Sequence, residues 1–187
     1  LFGRGGEELE LLRENGIPYE VVPGVTSSIA VPAYNGVPVT HRDFCSSVHV
    51  ITGHTLKGAQ SEKELASYGA CEGTLVFLMG LNNLNTISAG LIKGGKPADT
   101  PTAVIEDGSL NSQRIIRGTL KTIYEQTVKA EIKTPAIIVV GETAAFDLLP
   151  DKTQDQAIKT DTKPLTGLTI GITGTASFTN RLETALK

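Results

Sequence analysis

Thr74-Leu-Val-Phe-Leu-Met79 is apolar at every position after the first. A strand with one wet face alternates apolar and polar residues, whereas a near-continuous run is expected where both faces are covered. Such a strand belongs inside a layered sheet. Other short apolar runs, at 19–22, 47–52, 102–105, 114–117 and 135–140, alternate with segments of helical spacing at 7–14, from Thr26, and at 61–68, 82–92 and 120–130. Strands alternating with helices imply an α/β layer structure. Several strands run directly into glycine, at Gly53, Gly80, Gly108 and Gly141. Open α/β sheets bind ligands at the carboxyl ends of their strands, where glycine admits a ligand to the backbone. The same glycines also suit any strand-to-helix turn.

Pro23-Gly24 followed by Thr26-Ser27-Ser28 reads as a sharp turn and a capped helix start. The unpaired N–H groups of that end, with hydroxyls beside them, either dock a polar or anionic small molecule or simply cap a helix. Pro32 shortens this helix and Asn35-Gly36 closes it. Met79 at a strand end is either core or a soft wall for an aromatic ring. Thr40-His41-Arg42-Asp43 is a polar cluster that fits an anionic substrate and a surface turn equally well. Gly3-Arg4-Gly5-Gly6 lacks the spacing of a phosphate loop and precedes two glutamates, so it reads as a turn into a helix, with Arg4 pairing a carboxylate.

Charge and composition exclude some classes. The net charge is −3 over 187 residues, and no Lys/Arg run marks a nucleic-acid or membrane surface. No apolar run is long enough to cross a bilayer. Cys45 and Cys71 form no CxxC pair, which fits a reducing cytoplasm. His41, His49 and His54 show no helical ligand spacing, so no metal is expected. No GxSxG elbow supports a hydrolase. The polar stretch DKTQDQAIKTDTKP reads as a linker, and the β-α unit after it is too small to bury a core alone.

Taken together, PGVTSSIAVPAYNGVPVTHRDF (Pro23 to Phe44) and VITGH (Val50 to His54) resemble the tetrapyrrole methylases, and within them the uroporphyrinogen-III C-methyltransferase branch. FGRGGEE, GTLVFLMG, PTAVIEDGS, QRIIRGTL and PAIIVVGE follow in the family's order. The resemblance implies a two-domain α/β enzyme, usually a homodimer. It would transfer methyl groups from S-adenosylmethionine to uroporphyrinogen III, giving precorrin-2 for siroheme or cobalamin. By position it carries cofactor contacts onto Leu1, Thr26, Ser27, Met79 and Gly108. The carboxylate-rich substrate calls for cations, for which Arg4 and Arg42, with His41, are the candidates.

The chain opens on Leu1, and the family's Gly-Gly-Asp-Pro segment is not in it. The expectation is therefore a tail of the first domain at 1–22, the second domain at 23–146, a linker at 147–164, and the opening of a uroporphyrinogen-III synthase-like domain at 165–187. That last part rests on the likeness of LTGLTIGITG to such a synthase. The family's proton-handling residues belong to the missing front, so no catalytic acid or base is assigned. Two alternatives remain: a non-catalytic dimerisation or scaffold piece, and a methylase acting later in corrin assembly.

Overall fold

The computed structural model describes residues 5–55 and 58–149. Leu1 and Arg4, and the linker and synthase-like segments beyond Leu149, lie outside them. In chain order the elements are helix α1 (Gly5–Glu14), helix α2 (Ser27–Tyr34), strand β1 (Val48–Thr52), the short strands β2 (His54–Thr55) and β3 (Gly58–Ala59), and helix α3 (Glu62–Gly69). Strand β4 (Thr74–Leu78), helix α4 (Leu84–Lys93), strands β5 (Pro101–Glu106) and β6 (Arg114–Thr119), helix α5 (Ile123–Lys129) and strand β7 (Ala136–Val140) follow. The architecture is mixed α/β.

Local chemistry sets most boundaries. Thr26 caps α2, its hydroxyl accepting from the Ser28 N–H at 3.3 Å. Ser61 caps α3 in a full capping box: its hydroxyl accepts from the Glu64 N–H, while the Glu64 carboxylate accepts from the Ser61 N–H at 2.9 Å. Gly16, at φ 65°, ends α1 in the left-handed conformation that glycine adopts freely. The strand expected at 19–22 is absent. Residues 17–26 form an irregular exposed connection, and Val22 and Val25 are 81% and 85% exposed. β-propensity needs a neighbouring edge to become a strand, and among the described residues none runs beside this stretch.

The five-stranded sheet has the order β1-β4-β7-β5-β6. β1 and β4 are parallel, Val48 opposite Thr74 and Thr52 opposite Leu78. β7 is antiparallel to both its neighbours, Leu75 and Thr102 both facing Val140. β5 and β6 form an antiparallel pair from Pro101↔Thr119 to Glu106↔Arg114. All five residues of β4 are buried, as its composition requires. Leu75 and Phe77 point into a core shared with α3, α4 and α5, through Leu65, Leu91 and Ile123. Val76 and Leu78 point into a second core with Val31 of α2, Ile105, Val139 and Ala144. Each face is thus covered, and the period-2 geometry of the strand divides its side chains between them. Across the α3–α4 pair Lys93 donates to Glu62 at 2.6 Å. The contact holds the Glu62 carboxyl below its ordinary value and the Lys93 ammonium above its own. No helix among the described residues is long and apolar enough to cross a membrane.

Because β7 runs against its neighbours, the strand-end glycines do not share one edge. Gly53, Gly80 and Gly108 lie where β1, β4 and β5 finish, together with the start of β7. Gly141 lies at the other edge, its N–H donating to the Pro101 carbonyl at 2.9 Å.

Candidate functional site

A cavity of about 970 Å³ opens at the edge where β4 and β5 end and β7 begins. One wall is the start of α2, through Ser27 and Val31. A second is the end of β4 and the 3₁₀ turn Leu81–Asn83, including Leu78, Met79 and Asn82. The turn after β5 contributes Asp107, Gly108 and Leu110, and the entry to β7 contributes Thr134 and Pro135.

The backbone is unusual at two of these strand ends. Met79 has φ 57° and Asp107 φ 50°, both left-handed without being glycine. Such conformations cost energy and gather where surrounding structure over-determines them, often at ligand sites. At Asp107 the surroundings are visible. Its N–H donates to the Pro135 carbonyl at 3.0 Å, and its carboxylate accepts from the Ser112 hydroxyl at 2.9 Å. Gly108 sits against α2: a methyl there would overlap both methyls of Val31 and lie 2.8 Å from its Cβ. Glycine at 108 therefore lets the turn and the helix meet. Similarly, Gly53 and Gly80 meet backbone to backbone, and Asn83 Nδ2 donates to the Gly53 carbonyl at 2.9 Å.

At the start of α2, the N–H groups of Ile29 and Ala30 donate to the Thr26 carbonyl at 3.2 and 3.0 Å. The Thr26 and Ser28 hydroxyls bond each other at 2.9 Å. Thr26 is thus engaged as the cap, and Ser27 is the residue of this turn that reaches the cavity.

The structure brings Ser27, Met79 and Gly108 to one cavity, with Thr26 adjacent. His41 and Arg42 lie elsewhere. Arg42 lines a smaller cavity of about 280 Å³ with Cys45, Ser47, Glu72 and Gly73, at the start of β4 rather than its end. His41 stacks on Phe146 at 5.1 Å and tilts against Phe44 at 5.0 Å, and its Nδ1 accepts from the Asp43 N–H at 3.2 Å. Sequence reasoning missed Asp107, Asn82, Thr134 and Pro135. The Glu106-Asp107-Gly108 strand end was a visible signal, whereas the place of Thr134 and Pro135 follows only from the antiparallel direction of β7.

The lining is chiefly apolar, with the Ser27, Thr134 and asparagine side chains as polar points and Asp107 as the charged one. No Lys or Arg belongs to it among the described residues. Such a site suits a flat, partly apolar molecule with hydroxyls and a positive charge better than a polycarboxylate. Among the described residues no group of three His, Cys, Asp or Glu side chains could hold a metal ion.

Comparison with known proteins gives concordant results. Residues 1–124 match the Tetrapyrrole (Corrin/Porphyrin) Methylases. The chain is 50% identical over 146 residues to the porphyrin biosynthesis protein HemD of Ruminiclostridium josui, covering 78% of this chain and 29% of that protein. It is 42% identical over 146 residues to the uroporphyrinogen-III C-methyltransferase of Bacillus subtilis, covering 78% of this chain and 57% of that one. Among solved structures, the uroporphyrin-III C-methyl transferase of Thermus thermophilus, complexed with S-adenyl homocysteine, superposes with a TM-score of 0.66 at 34% identity. The match covers 76% of this chain and 61% of the other. The chain therefore spans about a third to somewhat over half the length of these curated relatives.

Proposed function

This chain belongs to the tetrapyrrole methylases, and from that premise we propose that the cavity at the ends of β4 and β5 holds S-adenosylmethionine for methylation of uroporphyrinogen III. The observation that carries the reading is the convergence of Ser27, Met79 and Gly108, far apart in sequence, on one largely apolar cavity. The residues fit the molecule. Ser27 offers a hydroxyl to the ribose or the methionine carboxylate. Met79, half-exposed, offers a soft apolar wall to adenine. Gly108 presents bare backbone, and the Asp107 carboxylate suits a ribose hydroxyl or a positive charge. When bound, S-adenosylmethionine supplies an electrophilic methyl group on a sulfonium.

The chain's own contribution is orientation and exclusion of water, which can supply most of the acceleration where the electrophile and the electron-rich pyrrole carbon need little acid–base help. Leu1 belongs to the proposed cofactor contacts, and Arg4, His41 and Arg42 to the proposed substrate contacts. Arg42 lines the smaller cavity at the start of β4 and not the proposed cofactor cavity. The Bacillus subtilis relative's name supports uroporphyrinogen III as the acceptor. Precorrin-2 as product, a homodimer in the cytoplasm, and a synthase-like domain after the linker complete the proposal.

Calorimetric titration of S-adenosylhomocysteine tests it, on this chain and on a version extended through the family's Gly-Gly-Asp-Pro segment. Binding by either supports the cofactor reading. Binding by neither overturns it and favours a non-catalytic piece.

A further inference from the structure

Beside the cavity, but outside its lining, lies a charged clasp. Glu106 ends β5, with its side chain only 8% exposed. Its Oε2 accepts from Arg114 Nε at 2.6 Å and pairs with Nη2 as well. Its Oε1 accepts from the Lys133 N–H at 2.9 Å. The Arg114 guanidinium continues the network, donating from Nη1 to the Ala130 carbonyl at 2.9 Å and from Nη2 to the Glu131 carbonyl at 3.1 Å. One carboxylate and one guanidinium thus fasten the segment 130–133 to β5 and β6.

The two pieces so joined carry opposing parts of the cavity. Asp107 and Gly108 directly follow Glu106, and Thr134 and Pro135 directly follow Lys133. Between them the Asp107 N–H closes on the Pro135 carbonyl at 3.0 Å. None of Glu106, Arg114 or Lys133 lines the cavity. The arrangement is costly: a nearly buried carboxylate is tolerated only when its charge and lone pairs are met, and here two separate elements meet them. The planar fork of arginine is what allows one side chain to bond a carboxylate and two carbonyls together.

We infer, resting on the cofactor reading of this cavity, that Glu106 and Arg114 are positioning residues that set the separation of the Asp107–Gly108 and Thr134–Pro135 walls, and through it the affinity for the adenosyl ligand. Neither side chain lines the cavity. Their effect passes through Lys133 and the Asp107–Pro135 hydrogen bond.

The test is titration of S-adenosylhomocysteine into the full-length protein and into three variants, each at a temperature where circular dichroism shows it folded. Glu106→Gln keeps an acceptor for the Lys133 N–H and removes the charge that holds Arg114. It should weaken binding by about tenfold or more, a loss in keeping with that of a charged hydrogen bond. Arg114→Lys keeps the charge but cannot form the fork, so its loss should be smaller but measurable, and it serves if Glu106→Gln does not fold. Leu91→Ala opens a hole in the core shared with α3, α4 and α5, at a residue that does not line the cavity. It should lower the unfolding midpoint while leaving the dissociation constant unchanged. Hydrogen exchange of the 130–133 segment should accelerate in the Glu106 and Arg114 variants by more than their loss of global stability accounts for.

If the wild type binds and both clasp variants bind equally well, the inference is overturned. It also falls if Leu91→Ala weakens binding as much as they do, since the effect would then be general destabilisation. Failure of the wild type itself to bind overturns the cofactor reading instead, which separates the two failures.

Discussion

At the residue scale, Gly108 and Met79 do different work at the same cavity. Gly108 is required by contact: Val31 stands where a side chain would go. Gly108→Ala should therefore destabilise the fold by about 1–3 kcal/mol, the usual cost of overpacking. It should also weaken S-adenosylhomocysteine binding, because the turn must move away from α2. Shortening the neighbour in a Gly108→Ala, Val31→Ala double variant should recover part of the stability lost by Gly108→Ala, as read by thermal unfolding. Met79 is 57% exposed and packs little against the core. Met79→Ala should change stability by no more than about 0.5 kcal/mol. It should weaken ligand binding by about tenfold if the thioether is an adenine wall. Much of this was legible in the amino-acid sequence, because strand ends with glycine and a capped helix start are local signals. Asp107 and the Thr134–Pro135 wall were not legible in the same way. Their roles depend on which strands become neighbours, and no short stretch carries that.

Elements show the same division between local and long-range causes. The capping box of α3 is a local device, and Ser61→Ala should cost about 1 kcal/mol in thermal unfolding with no change in ligand affinity, since α3 lies on the sheet face away from the cavity. Helix boundaries agreed with expectation to within a few residues because glycine, capping hydroxyls and apolar spacing act within one turn. The strand expected at 19–22 failed for the opposite reason. Tyr19, Val21 and Val22 have suitable side chains, but among the described residues no edge pairs with them. β7 was found as a strand, yet its direction was not, and so Gly141 was expected at the ligand edge and lies at the other one. His41 illustrates a further limit. Its ring tilts against the nearby Phe44 but stacks on Phe146, about a hundred positions away, a contact that no short stretch of sequence shows.

For the molecule as a whole, the order β1-β4-β7-β5-β6 places the last described strand at the centre of the sheet. Without β7 the sheet is two pairs, β1-β4 and β5-β6, with no strand hydrogen-bonded to both. A chain ending at Thr134 should therefore be insoluble or lack a cooperative unfolding transition, while one ending at Leu149 should show both solubility and a single transition, as measured by circular dichroism on heating. That arrangement has a consequence in time. A ribosome makes β4 and β5 well before β7, so for several seconds of synthesis the nascent chain carries two strongly apolar strand edges whose partner in the sheet is still to be made. The centre of the sheet is thus the part of the molecule most exposed to mispairing before it becomes the most protected.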